Sequence, residues 1–563
     1  MRAFVHVNLV PMDREAVLPD QTVVVRGGRI AAAGPAASTT VPEGAEIIDG
    51  NGLWLLPGLT DAHVHLDPLV GARPGFGDAP IYLAYGITTV FNLRGLPENL
   101  EQQRRIREGT LLAPNLYNSG EFVQEPRVRT PGEAEREVAA QVRAGYDMIK
   151  LHQVIDEKTH RYATTTWMDL PAYERVNQAA RRAGIPILGH GPYNLGLDAA
   201  LRSGQSLAHI GEFNPLYFFP VRRTGDYALA TVIALLVLAV VPAGWGVAAA
   251  VRRLRRRPAP ERPPELGRAR RLAGYALLAA VLTLAAWIPL VPGGPLFGRI
   301  WMLLVLTGLG GVLAALAVAT GFYLSKTWKN GGGSLLARLT ATAATLAALV
   351  LTFTLTYWVP LAWRCTDAGI RQVAADCKRA GIWVQSTLVL YDNLIEISDA
   401  GIDRVTSTPA FRALPPELRE EWREAGPPLP PWMAALMHDY PVFTRKLAAA
   451  LHREGVPMMA GTDAMGVPMV PPGVSLHWEL RQLLESGFTP YEALRAATVR
   501  PAEFLGKRSE FGTVTVGKRA DLLLVEGNPL QGLGGLEHPR GVMVRGTWLP
   551  EQKLKENLAA LQK

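Results

Sequence analysis

Short apolar runs alternate with amphipathic stretches over most of this 563-residue chain. The stretches at 131–145 and 172–184 place their apolar residues at helical spacing, and each lies between two apolar runs. Because strands that alternate with helices are typical of parallel βαβ units, the pattern predicts an α/β fold. The predicted strands lie at 87–93, 147–153, 185–191, 206–213, 382–390 and 456–464.

The two ends of the chain have a different pattern. Residues 21–34 and 512–525 each hold two β-rich runs around a Gly-containing turn, which predicts two hairpins. Residues 1–18 lack the unbroken apolar core and the cleavage site of a secretory signal, so we expect them to enter the fold as a strand. The two ends are predicted to pair in one small β-domain.

Four stretches in the middle of the chain carry no charged residue. Each is 24 to 27 residues long and rich in Leu, Ala and Val, which is enough to cross a bilayer as a helix. An alternative is a set of buried core helices, but four in a row with charged or Gly/Pro-rich flanks favour membrane spans. The stretches lie at 228–251, 272–298, 300–325 and 339–363.

The connectors between these stretches differ in charge. The first, 252–271, holds nine Arg and two Glu; the third, 326–338, holds three basic residues; the second has only Arg299. The positive-inside rule therefore places the first and third connectors in the cytoplasm. Since four spans return the chain to its starting side, both flanking soluble parts are predicted to be extracytoplasmic, although no signal peptide is evident.

The formal net charge of +8 at first suggests an anionic partner. Most of the basic excess lies in the 252–271 connector, however, and no basic patch interleaved with aromatic residues indicates nucleic-acid binding. Cys365 and Cys377 allow at most one disulfide, and no C-x-x-C pair indicates a metal site.

Polar groups lie at the ends of several predicted strands. In "GLTDAHVHLDP", His63 and His65 stand two positions apart, so a strand would point both imidazoles to one side, as two ligands of one metal ion would. Taken singly, each group has a simpler explanation, such as a core histidine, a surface lysine or a helix N-cap aspartate. Together they predict a metal pocket, because side chains at the carboxyl ends of the strands of a (β/α)8 barrel converge. The other members of the set are Lys150, His190, His209 and Asp463.

Several of these segments match the motifs of one enzyme superfamily. "PGLTDAHVH", "GYDMIKLH", "GIPILGH", "SGQSLAHI" and "AGTDA" resemble the metal-binding segments of strands one, four, five, six and eight of the amidohydrolase superfamily. "TPYEALRAATVRPAEFLG" and "GTVTVGKRADLLLVEGNPL" resemble its C-terminal signature. The chain is most similar to the imidazolonepropionase-like and prolidase-like branch, outside residues 220–360. It departs at Ala208, where the family usually has an acidic residue.

The resemblance implies a (β/α)8 TIM barrel with a β-sandwich domain from both termini, interrupted here by an inserted four-helix transmembrane bundle. It also implies one or two divalent metal ions, most often Zn, bound by His63, His65, His190, His209 and Asp463, with Lys150 carbamylated as a bridging ligand. The predicted organisation is sandwich at 1–57, barrel strands one to six at 58–219, insert at 220–363 with helices at about 228–251, 272–292, 300–325 and 339–360, the rest of the barrel at 364–508, and sandwich at 509–563.

These expectations combine into a membrane-embedded, metal-dependent amidohydrolase that hydrolyses an amide or peptide-like C–N bond. Bound metal lowers the pKa of water towards 7, and Asp463 would accept the proton and deliver it to the leaving amine. The substrate is expected to be a small-molecule amide or a lipid-like amide. A lipid-like amide would enter the site from the membrane lipid. The alternatives are a cyclic-amide or lactone hydrolase, and a membrane sensor or transporter with a non-catalytic domain.

Transport is disfavoured because the four apolar stretches hold no ionisable residue, whereas pathways through membranes usually do. Small residues in "TGLGG", 307–311, suit close helix packing or a homo-oligomer. Three further side chains are not included among the predicted ligands. His152 follows Lys150 at i+2 and could share its face, and His477 lies in a predicted helix and is expected to be structural. Tyr193 could contact either the substrate or the core.

Overall fold

A computed structural model describes residues 1–68, 71–152, 168–218, 221–258, 263–287, 300–424 and 438–562. The chain forms two compact units. The first combines Met1–Phe213 with Val373–Lys563, and the second is the intervening segment Asn214–Gln372. The first unit is therefore built from two pieces of chain that are distant in sequence.

Strands from both ends of the chain form one eight-stranded sheet, in the order β16-β15-β14-β5-β1-β2-β3, with β4 also paired to β1. β14 runs antiparallel to β5 and thereby joins the C-terminal strands to the N-terminal ones. The strands are β1 Arg2–Leu9, β2 Leu18–Arg26, β3 Arg29–Pro35, β4 Glu46–Asp49, β5 Trp54–Pro57, β14 Leu522–Val525, β15 Gly541–Val544 and β16 Thr547–Pro550.

This terminal sheet curls over on itself. Four strand steps separate β1 from β16, which would be about 19 Å in a flat sheet. The rings of Phe4 on β1 and Trp548 on β16 are nevertheless 5.2 Å apart, edge to face. A core that includes Phe4, Val23, Leu55 and Leu522 fills the space between the two halves.

Between β5 and β14 the described residues form eight parallel strands. β6-β7-β8 form one sheet and β9-β10-β11-β12-β13 form a second. Isolated parallel bridges join Ser119 to Met148 and Val64 to Ala464, linking both edges of one sheet to the edges of the other. The strands are β6 Leu59–Val64, β7 Ile87–Asn92, β8 Asn115–Asn118, β9 Ile149–Leu151, β10 Ile187–Gly189, β11 Ser206–Leu207, β12 Val384–Gln385 and β13 Met458–Met459.

Side chains from these strands share a core that includes Ala62, Phe91, Tyr117, Leu188 and Met459. The predicted α/β class is thereby confirmed. The helices of this part are Ala79–Ala84, Pro97–Glu108, Pro131–Ala144, Leu170–Ala183, Leu197–Ser203, Asp367–Ala380, Leu388–Ala400, Asp403–Thr406, Pro409–Arg412, Pro416–Glu424, Tyr440–Arg453, Val474–Glu485, Pro490–Ala496, Val499–Phe504 and Glu551–Ala560, with 3-10 turns at Pro74–Phe76, Ile210–Glu212 and Gly534–Glu537.

The helix Pro131–Ala144 shows why these segments form where they do. Thr130 accepts a hydrogen bond from the backbone of Glu133, whose carboxylate accepts one from the backbone of Thr130, and Pro131 suits the first turn. Gly145 ends the helix at φ 93°, a left-handed conformation that glycine adopts without cost. The capping residues and the apolar spacing therefore predict the same helix.

The second unit contains the long helices Val221–Leu254, Pro264–Trp287, Ile300–Lys329 and Leu335–Arg364, preceded by a π turn at Asn214–Phe218. Among the residues described, three segments are long and apolar enough to cross a membrane: Leu229–Leu254, Thr307–Lys329 and Leu335–Thr354. The second predicted span begins in the helix Pro264–Trp287, and its residues 288–298 lie outside the described residues.

Three local predictions are wrong. The predicted strand 206–213 is limited to Ser206–Leu207, and Ile210–Glu212 forms a 3-10 turn. Residues 512–525 do not form a hairpin, because Val514 and Gly517 donate their backbone N–H groups to Pro11 and Ile30 at the other end of the chain. The predicted strand 382–390 is limited to Val384–Gln385, and Leu388–Ala400 is helical, because Thr387 turns the chain at φ 41°. Cys365 and Cys377 are both buried free thiols.

Candidate metal centre

Neighbouring strands bring His63, His65 and Asp463 together. His63 lies on β6, and the segment after β13 docks beside it through a hydrogen bond from the backbone N–H of Asp463 to the carbonyl of His63, 2.9 Å long. The Oδ1 atom of Asp463 lies 3.3 Å from Nε2 of His63 and 3.0 Å from Nε2 of His65. One carboxylate oxygen thus faces both imidazoles of the H-x-H pair.

The other three predicted residues lie around the same point. The rings of His63 and His209 are 4.5 Å apart, and those of His190 and His209 are 5.2 Å apart, between centroids. Nζ of Lys150 lies 3.5 Å from Nε2 of His63. The structure therefore brings all six predicted side chains together, and donor atoms of His63, His209 and Asp463 all lie within 4.8 Å of one another.

Two side chains from β12 and its C-terminal end orient the histidines. The amide of Gln385 donates to the carbonyl of Ala62, so its Oε1 faces Nδ1 of His63 at 2.9 Å and accepts the ring proton. This leaves Nε2 of His63, the nitrogen that faces Asp463, as a ligand atom. Nδ1 of His209 forms a hydrogen bond with Oγ1 of Thr387 at 3.1 Å, which fixes the orientation of that ring.

Burial sets the protonation states of the site. It lowers the pKa of His63 well below its ordinary value and that of His209 to about 3, so both rings are neutral at pH 7. Burial also lowers the pKa of Lys150 to about 8. Burial opposes ionisation of Asp463, but the hydrogen bond from His65 and nearby positive charges outweigh it, so its pKa lies below the ordinary value. Neutral imidazoles beside an ionised carboxylate are the forms that bind a cation.

The backbone around Asp463 is strained. Asp463, Met465 and Met469 have φ values of 63°, 66° and 67°, which residues other than glycine seldom adopt. Gly466 closes this turn, where an added Cβ atom would lie 2.4 Å from Cδ2 of His65 and 2.6 Å from Oδ1 of Asp463. The loop is therefore held in an uncommon conformation in which only glycine leaves the two ligands in place.

Glu212 joins the loops that carry His190 and His209. It is buried in the turn just after His209, and its Oε2 accepts the backbone N–H of Gly191 at 2.7 Å. Its Oε1 accepts the Tyr193 hydroxyl at 2.7 Å. Burial raises the pKa of Glu212 to about 7 despite these two hydrogen bonds. Its contacts fix the separation of two histidines that come from different strands.

One wall of the site is formed by stacked side chains. The ring of His152 lies 4.6 Å from His190 and stacks on Phe122 at 4.0 Å. The guanidinium of Arg94 lies over the Phe122 ring, 5.3 Å from its centroid, and pairs with Asp67 at 3.1 Å. His152, left outside the predicted ligands, thus borders the cluster.

The sequence reasoning missed Gln385, Thr387 and Glu212. Gln385 ends β12, so the rule that gathered the histidines, polar groups at strand ends, applies to it as well. Glu212 lies in the run "SLAHIGEF" but not at a position where a strand places ligands. His477 is structural, as predicted: its Nε2 contacts the carbonyl of Tyr85 at 2.9 Å.

Residues 356–549 match the family model of the amidohydrolase family. The matched residues make up about a third of the chain and are similar to that family. An adenine deaminase of Rubrobacter xylanophilus is 32% identical over 224 residues, which is 36% of this chain and 34% of that protein. An imidazolonepropionase of Caulobacter vibrioides is 52% identical over 50 residues, 9% of this chain and 12% of that protein. The matched segments span about a third or less of these relatives.

Solved amidohydrolase-like structures share the fold across the whole chain. The bottromycin amidohydrolase superimposes with a TM-score of 0.57 at 21% identity, covering 100% of this chain and 90% of that one. A Xaa-Pro dipeptidase with bound methionine in its active site gives a TM-score of 0.54 at 14% identity, covering 98% and 99%. The sequence similarity to the amidohydrolase family thus includes Asp463, and the solved structures show a similar fold over the rest of the chain.

Replacing Gln385 with Leu should weaken metal binding. Leucine cannot accept the Nδ1 proton of His63, so the ring loses the contact that fixes its tautomer and orientation. Loss of such an outer contact typically lowers metal affinity by about 10- to 100-fold. Competition with a chromophoric chelator measures this, with Gln552→Leu, an exposed change on the C-terminal helix, as the control. Equal affinities in the two variants would show that Gln385 does not orient His63.

Replacing Glu479 with Gln should flatten the pH dependence of stability. Burial raises the pKa of Glu479 from 4.5 to about 8, so the folded state holds a proton that the unfolded state has released. Its contribution is complete below pH 4.5 and is lost as the pH rises through 8. Glutamine imitates the protonated acid towards Ser386 and the backbone of Val389.

The melting temperature, followed from pH 5 to pH 9 in both proteins, tests this prediction. The wild type should lose more stability than Glu479→Gln over this range. Glu212, whose pKa is raised to about 7, contributes equally to both curves. Parallel curves would show that Glu479 is ionised in the folded protein.

Proposed function

We propose that the protein is a metal-dependent hydrolase of a C–N bond, with His63, His65, His190, His209 and Asp463 as ligands. The supporting observation is the convergence of these side chains with Lys150 from five separate segments, His63 and His65 sharing one. Their chemistry fits a divalent cation, since neutral imidazole nitrogens and one ionised carboxylate are the donors that Zn²⁺ and similar ions prefer. The eight parallel strands then form a closed (β/α)8 barrel, and the curled terminal sheet forms the β-sandwich.

When bound, such an ion activates a water molecule and polarises the scissile carbonyl. The remaining work falls to the side chains. Asp463 accepts a proton from the attacking water through its free carboxylate oxygen and transfers it to the leaving nitrogen. The hydrogen bond that Nδ1 of His63 donates to Gln385 leaves Nε2 of His63 unprotonated, and the Glu212 contacts keep His190 and His209 at their spacing.

Lys150 is proposed to be carbamylated. Its unmodified ammonium would place a positive charge 3.5 Å from a ligand nitrogen of His63, which opposes cation binding. The neutral amine nitrogen instead bonds the carbon of CO₂ and releases one proton, which gives a carboxylate-like group able to bridge two metal ions. Labelled bicarbonate tests this: a ¹³C carbamate signal should appear in the wild type and not in Lys150→Arg.

The second unit is proposed to be a multi-pass membrane segment, with the catalytic unit extracytoplasmic. Three of its helices meet the length and hydropathy of membrane spans, and buried threonines such as Thr283 and Thr345 donate to carbonyls of their own helices. Alkaline extraction should leave the protein in the membrane pellet. Labelling of an added exposed cysteine at Ser38 by a membrane-impermeant reagent in intact cells would establish the side.

Hydrolysis is tested with a panel of substrates on purified, metal-loaded protein. The panel includes N-acyl amino acids of increasing chain length, Xaa-Pro dipeptides, adenine, cyclic amides and lactones. Removal of metal by a chelator should abolish turnover, and divalent ions should restore it. An advantage for long acyl chains would support an amphiphilic substrate, and activity on cyclic amides or lactones alone would favour the alternative. A metal-loaded protein inert towards the whole panel would overturn the proposal.

A further inference from the structure

The two basic connectors of the second unit meet at one end of its helices. The turn after the third helix packs on the start of the second, where a Cβ atom at Gly332 would lie 2.4 Å from Cγ of Pro263. Nε1 of Trp328, in the third helix, donates to Oγ1 of Thr342 in the fourth at 3.2 Å. The described parts of residues 252–271, which are 252–258 and 263–271, are therefore close to residues 326–338 as well as similar to them in charge.

Aromatic side chains at this end lie against basic ones. The guanidinium of Arg270 lies 4.7 Å from the Trp245 ring centroid, that of Arg268 lies 5.4 Å from Tyr323, and that of Arg338 lies 4.6 Å from Trp328. Cation–π contacts hold these arginines beside the apolar ends of the helices. Tryptophan and tyrosine at this level are typical of the boundary between hydrocarbon and headgroups.

The first connector alone carries a net charge nearly equal to that of the whole protein. Nine arginines and two glutamates give residues 252–271 a net charge of +7, against +8 for the whole chain. Four arginines of the first connector are exposed, so their charges face solvent or a partner and are not buried: Arg253, Arg255, Arg256 and Arg257. We call this surface the basic collar: Arg252, Arg253, Arg255, Arg256, Arg257, Arg268, Arg270, Arg271, Lys326, Lys329 and Arg338.

We infer that the basic collar binds the phosphate-bearing headgroups of anionic phospholipids, an inference that rests on the proposed membrane placement of the second unit. Arginine matches a phosphate with two parallel hydrogen bonds, and clusters of four to eight basic residues beside a membrane helix are typical of such surfaces. The aromatic residues place the basic collar at the level of the lipid headgroups. Anionic lipid therefore acts as a structural partner of the second unit.

The full-length protein in neutral detergent tests this inference. Phosphatidylglycerol or phosphatidylcholine is titrated in, and retained lipid is counted by native mass spectrometry while the melting temperature is followed. We expect saturable retention and stabilisation with phosphatidylglycerol only. The variant R253Q/R255Q/R256Q/R257Q should need about tenfold more phosphatidylglycerol for half-saturation. The control R105Q/R107Q/R136Q/R202Q removes four exposed charges from the catalytic unit and should titrate as the wild type does.

Equal retention of the two lipids, or an unchanged titration of the collar variant, would overturn the inference. So would displacement of phosphatidylglycerol by inorganic phosphate or by an oligonucleotide at the same charge concentration, because the site would then be one for free phosphate or nucleic acid. Metal content and hydrolysis, measured on the same samples, should be unchanged in the collar variant. A failure of lipid binding is thereby separated from a failure of the proposed enzyme.

Discussion

Replacing Asp463 with Asn should reduce the proposed hydrolysis by about a thousandfold or more, since the change alters both a proposed metal ligand and the proposed proton acceptor. The amide is nearly the same size, so the fold should persist, but it is neutral and a poor base. In the wild type, Oδ1 of Asp463 lies 3.0 Å from Nε2 of His65 and 3.3 Å from Nε2 of His63. Among the described residues, no other carboxylate oxygen lies that close to both imidazoles. Turnover per bound metal ion is the measurement.

The matched control for this change is Asp198→Asn, an exposed aspartate in the first turn of the helix Leu197–Ser203. It should keep full activity and the same melting temperature. If Asp463→Asn retained turnover at normal metal content, Asp463 would be neither the base nor a required ligand. If it lost metal as well as turnover, its role as a ligand would account for the loss.

Replacing Gly466 with Ala should lower kcat/KM by about a hundredfold, the usual effect of misplacing a reacting group by about 1 Å. The added methyl group would lie 2.4 Å from His65 and 2.6 Å from Asp463, which is closer than carbon atoms pack. The two ligands must therefore move apart, because the strained turn around Met465 has little freedom to yield.

Gly532→Ala provides the control for this substitution, because a Cβ atom there meets no atom within 4 Å. It should leave kcat/KM and metal affinity unchanged. Full activity of Gly466→Ala would show that the turn relaxes in solution and that Asp463 does not need this position. A crystal structure of the variant with bound metal would reveal the size of any shift.

The candidate ligands could be predicted from the sequence because they follow one simple rule. His63 and His65 alternate along a strand, and His190, His209 and Asp463 follow short apolar runs, so strand position alone gathers them. The α/β class follows from the same alternation. The capping residues around Pro131–Ala144 predict that helix directly.

The sequence is less informative where partners come from distant segments. Nothing near Val514 indicates that its N–H donates to Pro11 and not to a neighbouring strand. The helix Leu388–Ala400 begins with a continuous apolar run that suits a buried strand equally well. The role of Gln385 depends on His63, 322 positions earlier, and that distance is invisible in a local pattern.

The bridge between Val64 and Ala464 has a consequence for biosynthesis. Strands β6 to β11 leave the ribosome before the second unit, while β12, β13 and the C-terminal partners of β5 leave after it. The first half of the nascent chain therefore has unpaired strand edges until the second unit has been synthesised. We expect this stage to recruit chaperones, and slow translation of residues 214–372 to favour aggregation of unfinished chains.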